Sequence, residues 1–183
     1  DWKLEGPSRE DARLAPATLY GAAKMATGTL LTAAASALGL SLAWARICFC
    51  CGPGEPPGRL GGDLVAGLSA GEPVDCTEGL QRRDFLHTAD IGRALATLAL
   101  QRAAGAVNIA SGEAVAVRDI IHELERQLGC EGLAQLGAIE RPADDPECIA
   151  ADTARLRKEF GFRPTFDLEA GLADVVRLDV TRA

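Results

Sequence analysis

Aromatic side chains are scarce in this sequence, with one tyrosine, two tryptophans and five phenylalanines among 183 residues. The core must therefore be assembled from Ala, Leu, Val and Ile, although apolar types make up 48% of the chain. A surplus of positive charge is missing as well: formal net charge is -7, which argues against nucleic acid or an anionic membrane as the main partner. No apolar run reaches the length of a bilayer, and the N-terminus carries no signal-peptide pattern. Internal repeats and low-complexity tails are absent. A disulfide framework is not apparent either, although there are six cysteines. Cys48, Cys50 and Cys51 crowd one apolar stretch, and Cys76, Cys130 and Cys148 stand singly. Reduced thiols in a cytoplasmic protein are the expected state. The three crowded cysteines do not suit a metal, because on a strand two would face one way and the third the other. Methionine occurs only as Met25 and the chain begins at Asp1, so a fragment or processed piece of something longer is expected. A chain of this length is one domain with a real core.

What is present is organised around Pro16-Ala-Thr-Leu-Tyr20-Gly-Ala-Ala-Lys24, at the head of an Ala-rich stretch. Residues four apart stack on one helix face, so Tyr20 and Lys24 are predicted to be neighbours. An ammonium beside a phenol favours phenolate, and such a tyrosine can trade a proton with an alcohol or carbonyl. Taken alone, the pair reads as an aromatic residue near a helix start beside a solvated lysine.

The rest of the chain alternates between strand and helix patterns, which predicts an α/β fold. After a polar loop over 1–17, a helix is expected from about Thr18, as N-cap, to Leu38, with Gly39 as the stop. The apolar run over 41–50 predicts a strand covered on both faces. A Gly/Pro loop over 52–58 breaks it, and Arg59–Ala70 reads as a second helix. Pro73–Thr77 is a short strand candidate, and residues 82–87 lead into a helix from about Ala89 to Arg102, with Asp90 in its first turn to favour the dipole. Ala106–Ala110 reads as a buried strand. Val117, Ile120, Ile121, Leu124 and Leu128 fall at helical spacing, and Gly129 stops that helix. Leu133–Ile139 is a further strand candidate, and residues 141–147 form an acidic, Pro-bearing loop. Thr153–Phe160 reads as a short capped helix ended by Gly161, and Leu168, Leu172, Val175 and Val176 mark the last helix.

Several stretches come in a telling order: Tyr20-x-x-x-Lys24; an Arg-bearing apolar strand running into Gly52-Pro-Gly-Glu; Arg83-Asp-Phe-Leu-His; Val107-Asn-Ile-Ala-Ser-Gly-Glu113; Ala151-Asp-Thr-Ala-Arg-Leu; and Phe160-Gly-Phe-Arg-Pro164. The series resembles the C-terminal half of the extended short-chain dehydrogenase/reductases, the NAD(P)-dependent epimerase/dehydratase family acting on nucleotide sugars. The resemblance covers nearly the whole chain. The opening Asp1-Trp2 and Pro16–Tyr20 look like members that reduce or epimerise deoxysugar nucleotides. It implies the C-terminal part of a Rossmann-type parallel sheet plus a small α/β substrate-binding domain. Residues 1–58 would be the remainder of the dinucleotide-binding domain, and 59–183 mainly the nucleotide-sugar region, with 80–110 returning to the sheet.

The resemblance further implies NAD or NADP as cofactor, Tyr20 and Lys24 as catalytic residues, and Tyr20, Lys24 and Ile47 as cofactor contacts. Arg83, Arg59 and Phe49 fall at substrate-binding positions. Arg83 would reach the diphosphate, a role suited to a planar, permanently charged fork; the alternative is pairing with Asp84 or a neighbouring helix. Arg59 is placed to approach a phosphate or to remain a surface charge. His87 is expected to cap or pack, and His122 to be solvated. Phe49 stands where many relatives have Asn, and Cys51 where they have Tyr, so a substrate hydrogen bond from that Asn is in doubt. Gly52-x-Gly54-x-x-x-Gly58 is not the family's dinucleotide fingerprint, because Pro53, Pro56 and Pro57 remove N–H groups that a phosphate cradle would use. The family's catalytic Ser or Thr should lie just upstream of Asp1, since Thr18 is too close to Tyr20 to replace it. A homodimer through the helix after Tyr20 is implied, with Ala22, Ala26, Ala33 and Ala37 allowing close approach. Two rivals stand beside the enzyme: a dinucleotide-binding regulatory protein on the same scaffold, and an inactive fragment.

Overall fold

The computed structural model describes residues 6–180. Helix α1 spans Leu19–Ala37 and starts where Thr18 Oγ1 accepts the Gly21 N–H at 3.1 Å. It ends at Gly39, whose φ of 64° only glycine adopts cheaply. Both expected caps are therefore in place. Along α1 only Gly28 and Ala35 are buried, two turns apart, so the helix touches the protein along one narrow stripe. A Cβ at Gly28 would lie 3.0 Å from the Trp44 indole, so glycine is what lets the helix lie down there.

The apolar run that follows is two strands rather than one. Strand β1 (Ala43–Ile47) and strand β2 (Phe49–Cys51) part at Cys48 and pair with different neighbours. Nor is the run covered on both faces: Ile47 is 43% and Phe49 37% exposed. Alternation of apolar residues cannot show where a continuous run changes partner, which is why the sequence reads it as one strand. Helix α2 (Leu60–Ser69) and strand β3 (Val74–Cys76) lead to strand β4 (Arg82–His87), which is followed without a break by helix α3 (Thr88–Leu100) and then strand β5 (Gly105–Ile109). Strand β6 (Ala114–Ala116), helix α4 (Val117–Leu128), strand β7 (Ala134–Leu136), strand β8 (Cys148–Ile149), helix α5 (Ala154–Phe160) and helix α6 (Leu168–Val180) complete the order.

Strand β1 runs parallel to β5, with Ala45 opposite Val107. Strand β4 is the hub of a second sheet: it pairs parallel with β2 and β8, and antiparallel with β6. A third parallel pair joins β3 and β7. Two apolar cores result. One gathers Leu86, Ile91, Ala94, Leu98, Val107, Ile109, Leu156 and Phe162 around β5 and α3. The other packs α2, α4 and α6 through Leu64, Leu68, Ile120, Ile121, Leu124, Leu172 and Val175. The buried positions of α4 recur at helical spacing as its sequence predicts, and Gly129 (φ 66°) ends it. Gly161 ends α5 with the same φ. Thr153, expected to cap α5, makes no side-chain cap bond; Asp152 Oδ1 instead accepts the Ala154 N–H.

One buried carboxylate is held by several donors at once. Asp90, read from sequence as a dipole partner, is wholly buried. Its carboxylate accepts from Thr165 N and Oγ1 (2.9 and 2.7 Å), from Phe166 N (3.0 Å) and from the Arg93 guanidinium (2.6 Å). It thereby ties α3 to the turn leading into α6. Burial opposes its ionisation. The N–H of Phe166, the Thr165 hydroxyl, Arg93 and the Thr165 N–H outweigh that and hold the carboxyl below the usual aspartate value.

Replacing Asp90 by Ala removes the acceptor that those part-buried donors share and should destabilise the protein by about 1–3 kcal/mol in urea unfolding. Because the folded-state pKa is depressed, the contribution is present above the unfolded aspartate value of about 4 and is lost as pH falls through the lower folded value. Asp90→Ala should therefore flatten the acid limb of the stability profile. A variant losing under about 0.5 kcal/mol, the usual size of a surface substitution, would contradict this role.

Candidate active site

Strand β4 places chemistry on two sides. Alternate residues of a strand face opposite ways, so Arg83, Phe85 and His87 share one face and Asp84 and Leu86 the other. Asp84 turns inward, where its carboxylate accepts Ser111 N and Oγ (2.8 and 2.6 Å), Gly112 N (3.0 Å) and Ala151 N (3.3 Å). It does not pair with Arg83. Arg83, 5% exposed, donates through Nη1 to the carbonyls of Arg82 and Pro146, and through Nη2 to Asp145 Oδ1 at 2.5 Å. Its guanidinium also lies 5.7 Å from the centre of the Phe49 ring, and Phe49 in turn contacts Phe85, directly across from it in register.

A cavity of about 1060 Å³ opens where β2 meets α2, α4 and α6. Tyr20, Phe49, Arg59 and Arg83 all line it; four residues spread over some sixty positions of sequence are brought to one place. Lys24 and Ile47 do not line it. Lys24 reaches back instead to Tyr20, with Nζ 5.6 Å from the centre of the ring, as the four-residue spacing predicts. Tyr20 is 73% exposed, so phenol and ammonium stand together at the surface of α1. Arg59 is the N-cap residue of α2 but makes no side-chain cap bond.

Carboxylates in the cavity wall escaped the sequence reading. Asp145 was legible only as part of an acidic loop, and Glu55 as part of a Gly/Pro loop. Glu55 lies over the first turn of α2: a Cβ on Gly61 would meet its Oε2 at 2.2 Å. Burial raises the Glu55 pKa, opposed by the N–H groups of Gly62 and Gly61. Two amides of the same loop are already used. Gly54 N–H donates to the Asp179 carboxylate at 2.8 Å and Gly58 N–H to Asp63 Oδ1 at 2.9 Å. With three prolines lacking N–H, it does not suit a pyrophosphate, as its sequence implies.

His87 is a cap and a packing residue. Its Nδ1 accepts the Ala89 N–H at 3.3 Å to start α3, Nε2 lies 3.5 Å from Asp174, and its ring stacks on Phe166. His122 is exposed, as expected. No group of three or more residues suited to hold a metal occurs among the described residues, and all six cysteines are free. Burial, with the charge of Asp84, pushes the Cys48 thiol up to about 12. Burial, with Cys50 and Glu55 nearby, does the same to Cys51. Cys50 and Cys148 are exposed. Thiolate is the nucleophile, so iodoacetamide at about pH 8 should modify Cys50 and Cys148 while Cys48 and Cys51 stay unlabelled until unfolding. Peptide mass spectrometry reads the order; early alkylation of Cys51 would contradict it.

Comparison with known proteins bears on the whole arrangement. Residues 3–110 match the NAD dependent epimerase/dehydratase family. Among curated relatives, a UDP-glucose 4-epimerase of Azospirillum brasilense is 30% identical over 91% of this chain and 53% of its own length. A dTDP-glucose 4,6-dehydratase of Streptomyces griseus is 30% identical over 93% of this chain and 52% of its own. The chain thus spans about half the length of the curated relatives it matches. Among solved structures, a dTDP-glucose 4,6-dehydratase of Streptomyces venezuelae with NAD and TYD bound superposes with a TM-score of 0.85 at 25% identity, over 95% of this chain and 54% of that one. A UDP-N-acetylglucosamine 4-epimerase of Methanobrevibacter ruminantium shares the fold with a TM-score of 0.87 at 23% identity, over 97% and 58%. The α/β fold with parallel strands, the order of its motifs and a match over more than half of the residues agree: the chain belongs to the NAD dependent epimerase/dehydratase family.

Proposed function

We propose that this chain is the substrate-binding part of an NAD(P)-dependent nucleotide-sugar epimerase, dehydratase or 4-ketoreductase. The observation that carries the reading is that Tyr20, paired with Lys24, lines the same cavity as the buried guanidinium of Arg83. A proton carrier and an anion holder are what a sugar carried on a diphosphate requires. Residues 1–58, with 80–110, are read as the dinucleotide side, and 59–183 as mainly the nucleotide-sugar side. The separate cores around β5 and among α2, α4 and α6 support that division.

The cofactor, when bound, supplies the hydride acceptor and donor. The exposed phenol and ammonium of Tyr20 and Lys24 suit the hydroxyls of a nicotinamide ribose. Tyr20 would move a proton to or from the sugar oxygen, while Lys24, with Nζ 5.6 Å from the centre of the ring, would orient it. Arg83, and Arg59 at the head of α2, would hold the diphosphate, and Phe49 would form the wall behind Arg83. Ile47, 43% exposed at the end of β1, is available to a cofactor. Thr18 is engaged in capping α1, and the Gly52–Gly58 amides at Gly54 and Gly58 are taken. The 183-residue chain by itself is therefore proposed not to turn over. A regulatory, dinucleotide-binding role is the rival, and the intact Tyr20–Lys24 pair weighs against it.

A homodimer through α1 is supported by its open surface: Leu19 is 89%, Leu30 69% and Leu31 42% exposed. The free thiols support a cytoplasmic location. No helix among the described residues is long and apolar enough to cross a membrane.

Two measurements test the reading. Calorimetric titration of this chain alone should give no NAD(H) or NADP(H) affinity in the micromolar range. In the protein that turns over, Tyr20→Phe keeps ring and packing, so its unfolding midpoint should hold while turnover falls by about 10²–10⁴-fold. Lys24→Met should weaken cofactor binding as well as turnover. Near-normal turnover in Tyr20→Phe would remove the tyrosine from the mechanism.

A further inference from the structure

Arg83 is the one arginine of the cavity that is buried, and a buried guanidinium is costly unless it is paired. Here the countercharge comes from the protein. Asp145 Oδ1 sits 2.5 Å from Arg83 Nη2, and the Asp145 side chain is itself 27% exposed and part of the cavity wall. The next residue, Pro146, gives its carbonyl to Arg83 Nη1 at 2.9 Å. One guanidinium therefore clasps the loop between β7 and β8 by a side chain and by its backbone. Beyond that clasp, the loop is held at its ends, by Ile139 N–H to the Cys76 carbonyl (3.1 Å) and by Arg82 N–H to the Glu147 carbonyl (2.8 Å). The Arg141–Glu147 ion pair closes the loop on itself.

We propose that Asp145 is a specificity-determining residue: it competes internally for Arg83, so the cavity admits a ligand carrying a diphosphate by exchanging that anion for the Asp145 carboxylate. The inference rests on the reading that Arg83 holds the diphosphate. Charge decides the exchange. A diphosphate offers several oxygens and more than one negative charge to a planar fork of donors, against a single carboxylate oxygen from Asp145. A neutral sugar offers nothing that would leave the buried guanidinium paired, so it cannot displace Asp145 without stranding a charge. Exchange also removes one of the two contacts that fasten residues 140–146 to β4. Entry of the ligand is thereby coupled to loosening of that loop, while Pro146 keeps its hold.

The test uses this chain with UDP and inorganic pyrophosphate as probes, and calorimetry and hydrogen exchange as readouts. Asp145→Asn and Asp145→Ala should each bind UDP and pyrophosphate about tenfold more tightly than the unaltered chain, the scale of losing one charge-assisted competitor. Hydrogen exchange over residues 138–147 should rise when UDP binds the unaltered chain, and should already be raised in Asp145→Asn before UDP is added. Arg83→Gln separates the two claims. If Arg83→Gln loses UDP binding while the Asp145 variants bind no more tightly, or if UDP protects the loop, the competition is overturned and the diphosphate reading stands. If Arg83→Gln binds UDP as the unaltered chain does, or if no variant binds at millimolar UDP, both are overturned.

Discussion

Two neighbouring residues of β4 place opposite charges inside the protein, and most of the architecture answers them. Asp84, wholly buried, is a carboxylate that must find donors, because an unsatisfied charge in the interior costs far more than one hydrogen bond returns. Its four donors come from the Ser111–Gly112 turn and from Ala151. That single side chain therefore holds β4, the turn after β5 and the segment after β8 together. Arg83 sends the complementary demand through the other face and draws in the loop bearing Asp145 and Pro146. A strand of six residues thus carries three segments on two faces, and its partners β2, β6 and β8 hold it from both edges.

The cavity lies on the Arg83 side of this strand because the register across β2 and β4 aligns its walls. Phe49 sits opposite Phe85, and Cys51 opposite His87. At the end of β2 the chain must turn away into the Gly/Pro loop, where it passes against the start of α3. A Cβ at Gly52 would lie 2.0 Å from Thr88 Oγ1, so only glycine fits. His87 secures the far end by capping α3 and stacking on Phe166 ahead of α6. Apolar residues of α2, α4 and α6 line the cavity together with a few charged side chains, the buried Arg83 among them. A site of this composition, apolar within and polar at a few fixed points, is the usual form for a small-molecule ligand.

Local chemistry was readable wherever the physics is local. The caps of α1 at Thr18 and Gly39, the amphipathic face of α4 and the glycine stops at Gly129 and Gly161 depend on residues within a turn or two of each other. So does the approach of Lys24 to Tyr20. Where the outcome depends on a distant segment, the sequence misled or was silent. The run over 41–50 carries no mark of the change of partner at Cys48. Asp90 looks like any acidic residue in a first turn, and only Thr165 and Phe166, brought in from the far end of the chain, make it a buried acceptor.

The sequence by itself determined the α/β class and the family, and marked out Tyr20, Lys24, Ile47, Phe49, Arg59 and Arg83 as candidates, because composition, periodicity and ordered motifs are properties of the chain as written. Tertiary structure alone decided what those residues face. It placed Tyr20, Phe49, Arg59 and Arg83 around one cavity while leaving Lys24 and Ile47 outside its wall. It also supplied Arg83 with a carboxylate 62 positions away in the chain. The reason is energetic: a charge removed from water must be paired wherever the fold permits, and no rule of sequence spacing says which distant side chain will be within 3 Å of it.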